Sequence, residues 1–232
     1  MIRPELGQPA YVLHRRPYKE TSSIVEMLTL EYGRIAGVAR GARSARRLDP
    51  VEPFSRIEVG WRGRGQLVTI TSRESVHQWR LSARFLFAGM YLNELLIRTL
   101  RHEEPVVDLF RAYEEALGRL ATEHDLEATL RVFEKRLLRE LGYELSFEVD
   151  ISTGKDLKED DEYELVRGEG FQPALKSASI TFGGSVLRRI SQDQYADEKV
   201  RRAAKFLLRQ ALRPHIGDKP IAARELFRRG GA

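Results

Sequence analysis

Residues 24–40 read Ile24-Val25-Glu26-Met27-Leu28-Thr29-Leu30-Glu31-Tyr32-Gly33-Arg34-Ile35-Ala36-Gly37-Val38-Ala39-Arg40, and this stretch decides the fold of the first third of the chain. Apolar and polar residues partly alternate on both sides of Glu31-Tyr32-Gly33, as in strands that bury one face. Glycine suits the turn between them, because it tolerates backbone conformations that other residues avoid. The stretch therefore predicts a β-hairpin.

Strand-like runs also precede and follow this hairpin. Tyr11–His14 lies before it, whereas Phe54–Trp61 and Leu67–Ser72 follow it, with the glycine turn Arg62–Gly65 between them. Five short strands within about 75 residues predict a small closed or half-closed barrel. The five-stranded OB-fold is the commonest barrel of this size, and an SH3-like barrel fits the spacing nearly as well.

From about residue 82 the apolar period changes to that of helices, and residues 150–182 then interrupt it. The interruption is acidic and contains glycine, with weak strand character only at Tyr163–Val166 and Ser179–Phe182. The predicted helices are 82–100, 105–120, 126–141, 184–190, 197–213 and 220–229. The fold class is therefore α+β, with an OB-fold nucleic-acid-binding domain at 1–80 and a helical domain at 81–232 that contains an irregular insertion at about 150–182.

Charge is distributed unevenly along the 232 residues, whose formal net charge is +5. Lys and Arg exceed Asp and Glu by six in residues 1–80, fall short by four in 81–149, and exceed them by three in 150–232. Basic ends around an acidic middle favour a polyanionic partner such as DNA, although arginine-rich surfaces also serve solubility alone. The chain has no cysteine, which excludes disulfides and thiolate metal sites and suits a reducing cytoplasm. It also shows no signal peptide and no run long enough for a membrane span.

Signatures of catalysis are missing from the sequence. The five histidines are scattered singly, and there is neither a phosphate-binding Gly-x-x-x-x-Gly-Lys-Ser/Thr loop nor a Gly-x-Ser-x-Gly nucleophile motif. The acidic run 156–164 contains enough carboxylates to chelate a divalent metal, as nuclease sites do. Such a run in one stretch is more typical of a solvated loop, because metal sites draw ligands from several rigid elements. We therefore expect no enzyme activity, no cofactor and no metal.

An arginine-rich loop follows the hairpin, with four arginines in the eight residues 40–47 and small residues between them. Small spacers let the backbone approach a phosphate chain, and guanidinium groups bind phosphate oxygens bidentately. A merely flexible basic loop is the alternative. Tyr18, Tyr32, Phe54 and Trp61 are candidate base-stacking rings that are equally suited to packing. The expected DNA-binding residues are Arg15, Arg16, Lys19, Arg34, Arg40, Arg43, Arg46, Arg47, Arg62 and Arg64.

A second basic feature lies on the helix predicted at 197–213. Its outward positions carry basic residues at three- and four-residue spacing, namely Arg202, Lys205, Arg209 and Arg213. This ladder is compatible with a second phosphate track, with a dock for an acidic peptide, or with a plain solvated face. The sequence pattern leaves the three interpretations open.

Several segments carry a family resemblance that extends in order over nearly the whole chain. They are Ala10-Tyr11-Val12-Leu13-His14-Arg15-Arg16-Pro17-Tyr18-Lys19-Glu20-Thr21-Ser22, Gly33-Arg34, Ala39-Arg40-Gly41-Ala42-Arg43-Ser44, Tyr91-Leu92-Asn93-Glu94-Leu95-Leu96, Arg131-Val132-Phe133-Glu134, Leu141-Gly142-Tyr143, Arg202-Ala203-Ala204-Lys205, Ala211-Leu212-Arg213-Pro214, Gly217-Asp218-Lys219-Pro220 and Ala223-Arg224-Glu225-Leu226-Phe227. As a set they resemble proteins of the RecO family. The resemblance implies an N-terminal OB-fold followed by a helical domain.

The resemblance also implies a function and its partners. These are a non-enzymatic role in DNA repair, binding of single- and double-stranded DNA, annealing of complementary strands, and promotion of RecA loading onto DNA coated by single-stranded DNA-binding protein. The implied partners are a RecR-type mediator protein, the acidic and hydrophobic C-terminal tail of single-stranded DNA-binding protein and, indirectly, RecA. A cytoplasmic, nucleoid-associated protein without membrane contact is expected. The alternatives are an interaction scaffold whose barrel binds protein or RNA, and a metal-dependent nuclease that uses the acidic insertion.

Residue by residue, Arg131 in its Arg-x-Phe-Glu context matches a basic residue of the family's tail-binding region. An arginine beside an apolar pocket suits a tail that ends in a carboxylate. Lys135, Arg202 and Lys205 complete the expected tail-binding set. The chain departs from many relatives in lacking the four cysteines of a zinc module, since Asp150-Ile151-Ser152-Thr153-Gly154 stands there instead. We therefore expect a zinc-free insertion held by packing, for example of Tyr163 and Phe171.

Overall fold

A five-stranded barrel forms the N-terminal part of the computed structural model, which describes residues 7–43 and 51–229. The strands close in the order β1-β2-β3-β5-β4, with β3 and β5 parallel and the other pairs antiparallel. This OB-like barrel confirms the fold class predicted from the sequence. The strands are β1 (Gln8–Tyr18), β2 (Ser22–Thr29), β3 (Gly33–Ala39), β4 (Ser55–Arg62) and β5 (Val68–Gln78).

The hairpin predicted from residues 24–40 is the pair β2 and β3. Its register runs from Thr29 opposite Gly33 to Ser23 opposite Ala39. Gly33 has a φ of +63°, and a Cβ there would lie 1.8 Å from the carbonyl oxygen of Glu104, so only glycine fits this turn. The inward side chains fill the barrel with a dry apolar core formed by Ala10, Val12, Val25, Met27, Ile35, Ala39, Ala42, Val51, Ile57, Val59, Trp61, Val68 and Ile70.

Helices follow the barrel close to the predicted positions. They are α1 (Ala83–Thr99), α2 (Val107–Ala121), α3 (Leu126–Glu140), α4 (Gly184–Ser191), α5 (Glu198–Leu212) with a 3₁₀ turn at Arg213–His215, and α6 (Ala222–Arg229). The chain divides into two compact units, one formed by Met1–His124 with Asp218–Ala232 and the other by Asp125–Gly217. The first unit therefore combines the barrel with α1, α2 and α6. The boundary between the two units thus lies after α2, not at the change from strand to helix near residue 80.

A buried polar junction joins the barrel to α1 and α2. Asn93, on α1, donates from Nδ2 to the carbonyl oxygen of Leu13 at 2.7 Å, beside a β-bulge in β1. The same side chain accepts a hydrogen bond from the hydroxyl of Tyr113 on α2 at 2.5 Å. Burial raises the pKa of Tyr113 well above its usual value, so this hydroxyl remains a neutral donor. The Tyr11 ring packs against Tyr113 and Phe110 at centroid distances of 5.2 and 5.1 Å.

The C-terminal helix α6 is held on α1 in the same unit. The carboxylate of Glu94 accepts hydrogen bonds from the backbone amides of Ala222 at 3.0 Å and Ala223 at 3.1 Å, where α6 begins. A side chain from another helix thus caps amides that have no partner within α6. The guanidinium of Arg98 donates to the carbonyl oxygen of Pro220 at 2.8 Å. Helix α6 is therefore part of the core that includes the barrel.

The insertion contains a small sheet, β7-β6-β8, in the second unit. Its strands are β6 (Glu162–Val166), β7 (Gly170–Pro173) and β8 (Phe182–Gly183). The buried rings of Tyr163 and Phe171 hold it, as predicted. The sequence pattern missed β7, since a four-residue strand between glycine and proline carries no alternation of its own.

Asp150 organises the turn at the start of the insertion. One carboxylate oxygen accepts from the amide of Ser152 at 2.8 Å and from its hydroxyl at 2.7 Å, and the other accepts from the hydroxyl of Thr153 at 2.8 Å. These donors stabilise the ionised form and hold the pKa of Asp150 below its ordinary value, chiefly through the Ser152 hydroxyl. The Asp150 carboxylate thus fastens the turn that opens the insertion.

We predict that Asp150→Ala lowers the melting temperature by a few degrees at neutral pH, because three hydrogen bonds are lost. A lowered pKa stabilises the fold above the ordinary carboxyl pKa, and this stability is lost as the pH falls through the folded value. The gap between wild type and variant should therefore narrow as the pH falls below the ordinary carboxyl pKa. Thermal melts at several pH values test this, with the exposed Asp160→Ala as the control. Equal melting temperatures for the two variants at neutral pH would contradict the role of Asp150.

Candidate nucleic-acid interface

Two connections meet at one end of the barrel because β2 and β3 form a regular hairpin. The ladder ends with Ser23 opposite Ala39, so the β1–β2 turn lies beside the start of the β3–β4 loop. The amide of Arg43 donates to the carbonyl oxygen of Thr21 at 2.9 Å, and its guanidinium donates to that of Lys19 at 3.3 Å. These bonds fix the backbone of both connections.

Four cationic side chains are exposed at this end, namely Arg16, Lys19, Arg40 and Arg43. We call this set the basic rim. Arg73 on β5 donates to the carbonyl oxygen of Arg40 at 2.9 Å and so adds a fifth cationic residue beside it. Clustered cations on a fixed backbone suit the phosphates of a nucleic acid, since each contact releases condensed counterions.

Arg62 and Arg64 lie in the exposed β4–β5 turn. Arg62 is the register partner of Thr69, which in turn pairs with Val38 on β3. Two strand spacings, about 10 Å, therefore separate the backbones of Arg62 and Val38, two residues before Arg40. Arg62 thus adjoins the end of β3 that carries the basic rim.

Arg34 and Arg15 each pair with a carboxylate of the protein itself. The guanidinium of Arg34 is 12% exposed, pairs with Glu26 at 3.0 Å and donates to the carbonyl oxygen of Leu100 at 3.1 Å. It ties the hairpin to the end of α1, so a contact of Arg34 with DNA, which stays a prediction, would compete with these internal bonds. Arg15 is half-buried and pairs with Glu52 at 2.6 Å. Arg46 and Arg47, the last arginines of the predicted loop, lie outside the described residues.

The candidate stacking rings on the barrel serve packing instead. Trp61 and Phe54 are each 5% exposed. Tyr32 meets the Trp61 ring edge-on at a centroid distance of 5.3 Å. Tyr18 is half-buried, with the ammonium of Lys19 at 5.4 Å from its ring centroid. The basic rim therefore offers charge without an aromatic platform formed by Trp61 or Phe54.

Arg131 and Lys135, expected at a partner's tail, both lie on α3 and pair with carboxylates of the second unit. Arg131 is 4% exposed and pairs at 2.7 Å with the fully buried Glu134. Lys135 donates to the carbonyl oxygen of Ile190 at 2.7 Å and to the Asp193 carboxylate at 2.7 Å. The expectation that Arg131 and Lys135 bind a partner's tail stays a prediction, and both side chains already have ionic partners within this unit. The Arg-x-x-Glu spacing of Arg131 and Glu134 on one helix face indicates the first of these pairs.

Arg202 and Lys205 lie on α5 and remain accessible. Arg202 is exposed and pairs with Glu198 at 2.8 Å, whereas Lys205 is half-buried and lies 3.5 Å from Glu127. Exposed ion pairs of this kind are weak, so an incoming anion competes with them at little cost.

Two further features of the structure bear on the other classes of function. Within residues 7–43 and 51–229, no group of three or more His, Cys, Asp or Glu side chains is arranged to hold a metal ion. None of the helices in that part of the chain is long and apolar enough to cross a membrane.

Comparison with known proteins identifies the family. Residues 1–79 match the family model described as recombination protein O N terminal, and residues 82–225 match recombination protein O C terminal. A DNA repair protein RecO from Pseudomonas paraeruginosa is 43% identical over 95% of this chain and 94% of its own length. Proteins of the same description from Actinobacillus succinogenes and Haemophilus influenzae are each 39% identical, over 96% and 95% of this chain and 95% and 94% of their own lengths. The chain therefore belongs to the RecO family of DNA repair proteins.

Proposed function

We propose that this chain is a recombination mediator that binds single- and double-stranded DNA, anneals complementary strands and promotes RecA loading onto DNA coated by single-stranded DNA-binding protein. It acts without catalytic turnover, and its DNA binding associates it with the nucleoid in the cytoplasm. The observation that carries the proposal is the basic rim, where Arg16, Lys19, Arg40 and Arg43 share one end of an OB-like barrel.

Annealing requires no active site in this proposal. Two strands repel each other through their phosphates, and cationic surfaces reduce that repulsion while raising the local concentration of the strands. Base pairing then supplies the free energy. Because guanidinium and ammonium groups contact phosphates rather than base edges, binding is expected to show little sequence preference.

We predict that the triple variant Arg16→Ala/Arg40→Ala/Arg43→Ala weakens DNA binding about 10- to 100-fold at moderate salt. Each lost phosphate contact should lower the slope of log K against log salt by about 0.7 for single strands and about 0.9 for duplex. Fluorescence anisotropy with labelled oligonucleotides of two unrelated sequences measures both quantities.

A control variant removes the same charge elsewhere. Arg80, Arg111 and Arg167 are exposed outside the basic rim, and their triple alanine variant also changes the net charge by −3. It should keep most of the affinity and slope. We call the Arg16→Ala/Arg40→Ala/Arg43→Ala protein the rim variant. If its salt slope is unchanged, or if both triple variants lose the same DNA affinity, the basic rim is not part of the DNA site.

The second candidate function is a non-enzymatic scaffold whose OB-like barrel binds protein or RNA. ATP-independent annealing of complementary DNA oligonucleotides separates the two, because a scaffold has no reason to accelerate it. Acceleration by wild type and its loss in the rim variant support the mediator. No acceleration, together with tighter binding of RNA than of DNA, would favour the scaffold.

The proposed partners are a RecR-type mediator protein and the C-terminal tail of single-stranded DNA-binding protein. Of the four predicted tail-binding residues, Arg202 on α5 is exposed and Lys205 is half-buried, whereas Arg131 is buried, so we test the α5 pair first. Calorimetry of the isolated tail peptide with wild type and with Arg202→Ala/Lys205→Ala tests this part. An unchanged affinity would exclude both residues from the tail site.

A further inference from the structure

An exposed stripe runs along the outer face of α5 in the second unit. Arg202, Phe206, Arg209 and Arg213 are exposed and follow one another at spacings of four, three and four residues, which places them on one side of the helix. At 1.5 Å per residue, Arg209 and Arg213 lie about 4.5 and 10 Å beyond Phe206 along the axis. The stripe thus combines one aromatic ring with guanidinium groups on both sides.

Phe206 is supported from behind by a column of buried rings. Its centroid lies 6.0 Å from that of Phe182, with the ring planes 34° apart, and Phe182 contacts Phe171 edge-on at 6.4 Å. Phe206 itself remains 37% exposed. A large apolar ring held against a rigid core and open to solvent is a pre-ordered stacking surface.

A second aromatic pair lies just beyond the end of the stripe. The Tyr143 ring, 56% exposed, stacks on His215 at a centroid distance of 3.9 Å, and His215 follows Arg213 by two residues. Burial lowers the pKa of His215, so its ring is neutral at physiological pH and stacks without a desolvation cost for charge. Two arginines therefore lie between the Phe206 ring and the Tyr143–His215 pair over about 15 Å, a length of a few nucleotides.

We propose that the α5 face formed by Phe206, Arg209 and Arg213 binds a single DNA strand, with a base stacked on Phe206 and phosphates on the two arginines. A single strand offers both an open base and a phosphate at short intervals, which matches the ring and the guanidinium groups spaced along this face. A duplex hides its bases, so this face discriminates against it. This inference rests on the proposed function, because annealing needs a second strand besides the one on the basic rim.

The ring on this face separates a nucleic acid from a peptide as its occupant. Base stacking needs a flat π-surface, whereas an apolar peptide side chain is satisfied by any group of similar size. Phe206→Leu keeps an apolar side chain and removes the ring, and Phe206→Trp enlarges the ring. Leu175→Ala removes another exposed apolar side chain of the same unit and serves as the control.

We expect Phe206→Leu to weaken binding of a labelled oligo-dT 12-mer to the full chain about tenfold, and Phe206→Trp to stay within about twofold of wild type. Arg209→Ala/Arg213→Ala should lower the salt slope for the same oligonucleotide by about 1.4. Duplex binding should change little in all of these variants. Circular dichroism melts confirm that each variant is folded.

Three outcomes would overturn the proposal. The first is that Phe206→Leu and Arg209→Ala/Arg213→Ala bind oligo-dT like wild type, while the rim variant no longer binds it. In that case the proposed function stands, but the α5 face takes no part in DNA binding. The second is lost binding of an acidic peptide with an apolar C-terminal end in these variants, with oligo-dT binding intact, which would assign the face to a protein partner. The third is equal loss in Leu175→Ala. If the rim variant also binds DNA normally, the proposed function itself fails.

Discussion

Replacing Asn93 by alanine is expected to lower the free energy of unfolding of the first unit by about 3 kcal/mol. The substitution leaves the carbonyl oxygen of Leu13 and the hydroxyl of Tyr113 buried without their shared partner. Each buried polar group without a hydrogen bond costs about 1–3 kcal/mol. The single Asn93 side chain serves both groups, as donor to the Leu13 carbonyl and as acceptor from the Tyr113 hydroxyl. Urea unfolding followed by tryptophan fluorescence measures the loss, since Trp61 lies in the barrel core.

A double-mutant cycle distinguishes a lost hydrogen-bond junction from a simple cavity. Tyr113→Phe removes only the hydroxyl, and Asn93→Ala/Tyr113→Phe removes both ends of one bond. If the junction is the cause, the double variant should be less destabilised than the sum of the single variants by about 1 kcal/mol. Additive losses would assign the effect of Asn93→Ala to packing alone.

Arg131→Met is expected to destabilise the second unit by about 3–5 kcal/mol. The substitution leaves Glu134, which is fully buried, without the guanidinium that lies 2.7 Å from it. Removing one member of a buried ion pair is costly because an uncompensated charge stays in the interior, whereas replacing both members by apolar residues is often neutral. Hydrogen exchange of residues 125–217 measures the local loss without assuming that both units unfold together.

The control for Arg131 is the apolar double variant Arg131→Met/Glu134→Leu, which should recover most of the lost protection. If Arg131→Met exchanges like wild type and instead weakens a tail peptide, the residue is a ligand and its structural role is wrong. The fold of the second unit must therefore be measured before any Arg131 variant is tested for tail binding. Lost binding in an Arg131 variant has no meaning until the fold of the second unit has been measured.

Periodicity predicted the barrel and the helices because one buried face per element leaves a regular trace in the sequence. The β2–β3 hairpin and α3 both follow this rule, and α3 also begins at Asp125, whose carboxylate accepts from the amide of Ala128. The pattern did not predict strand β7, because its four residues, Gly170 to Pro173, are too few to show a period. Composition alone could not show which arginines are free to bind a ligand.

That limit is clearest for the predicted site residues. Arg34 lies near the start of β3 and Arg40 directly follows its last residue. Arg34 pairs with Glu26 and donates to the end of α1, whereas Arg40 is exposed. The difference depends on which end of the hairpin the helices cover, a tertiary fact that no local pattern contains. The sequence did not single out Phe206 as a candidate binding residue, because a phenylalanine in an amphipathic helix is normally assigned to the core.

The docking of α6 against α1 has a consequence for synthesis on the ribosome. The carboxylate of Glu94 and the guanidinium of Arg98 receive their partners from residues 220–223, which are translated more than a hundred residues later. The barrel side of the molecule emerges first, but its last packing element emerges only after Asp125–Gly217 has been made. A nascent chain therefore exposes part of α1 until residues 220–223 have been translated, and a truncation after Gly217 would damage the unit that contains the barrel.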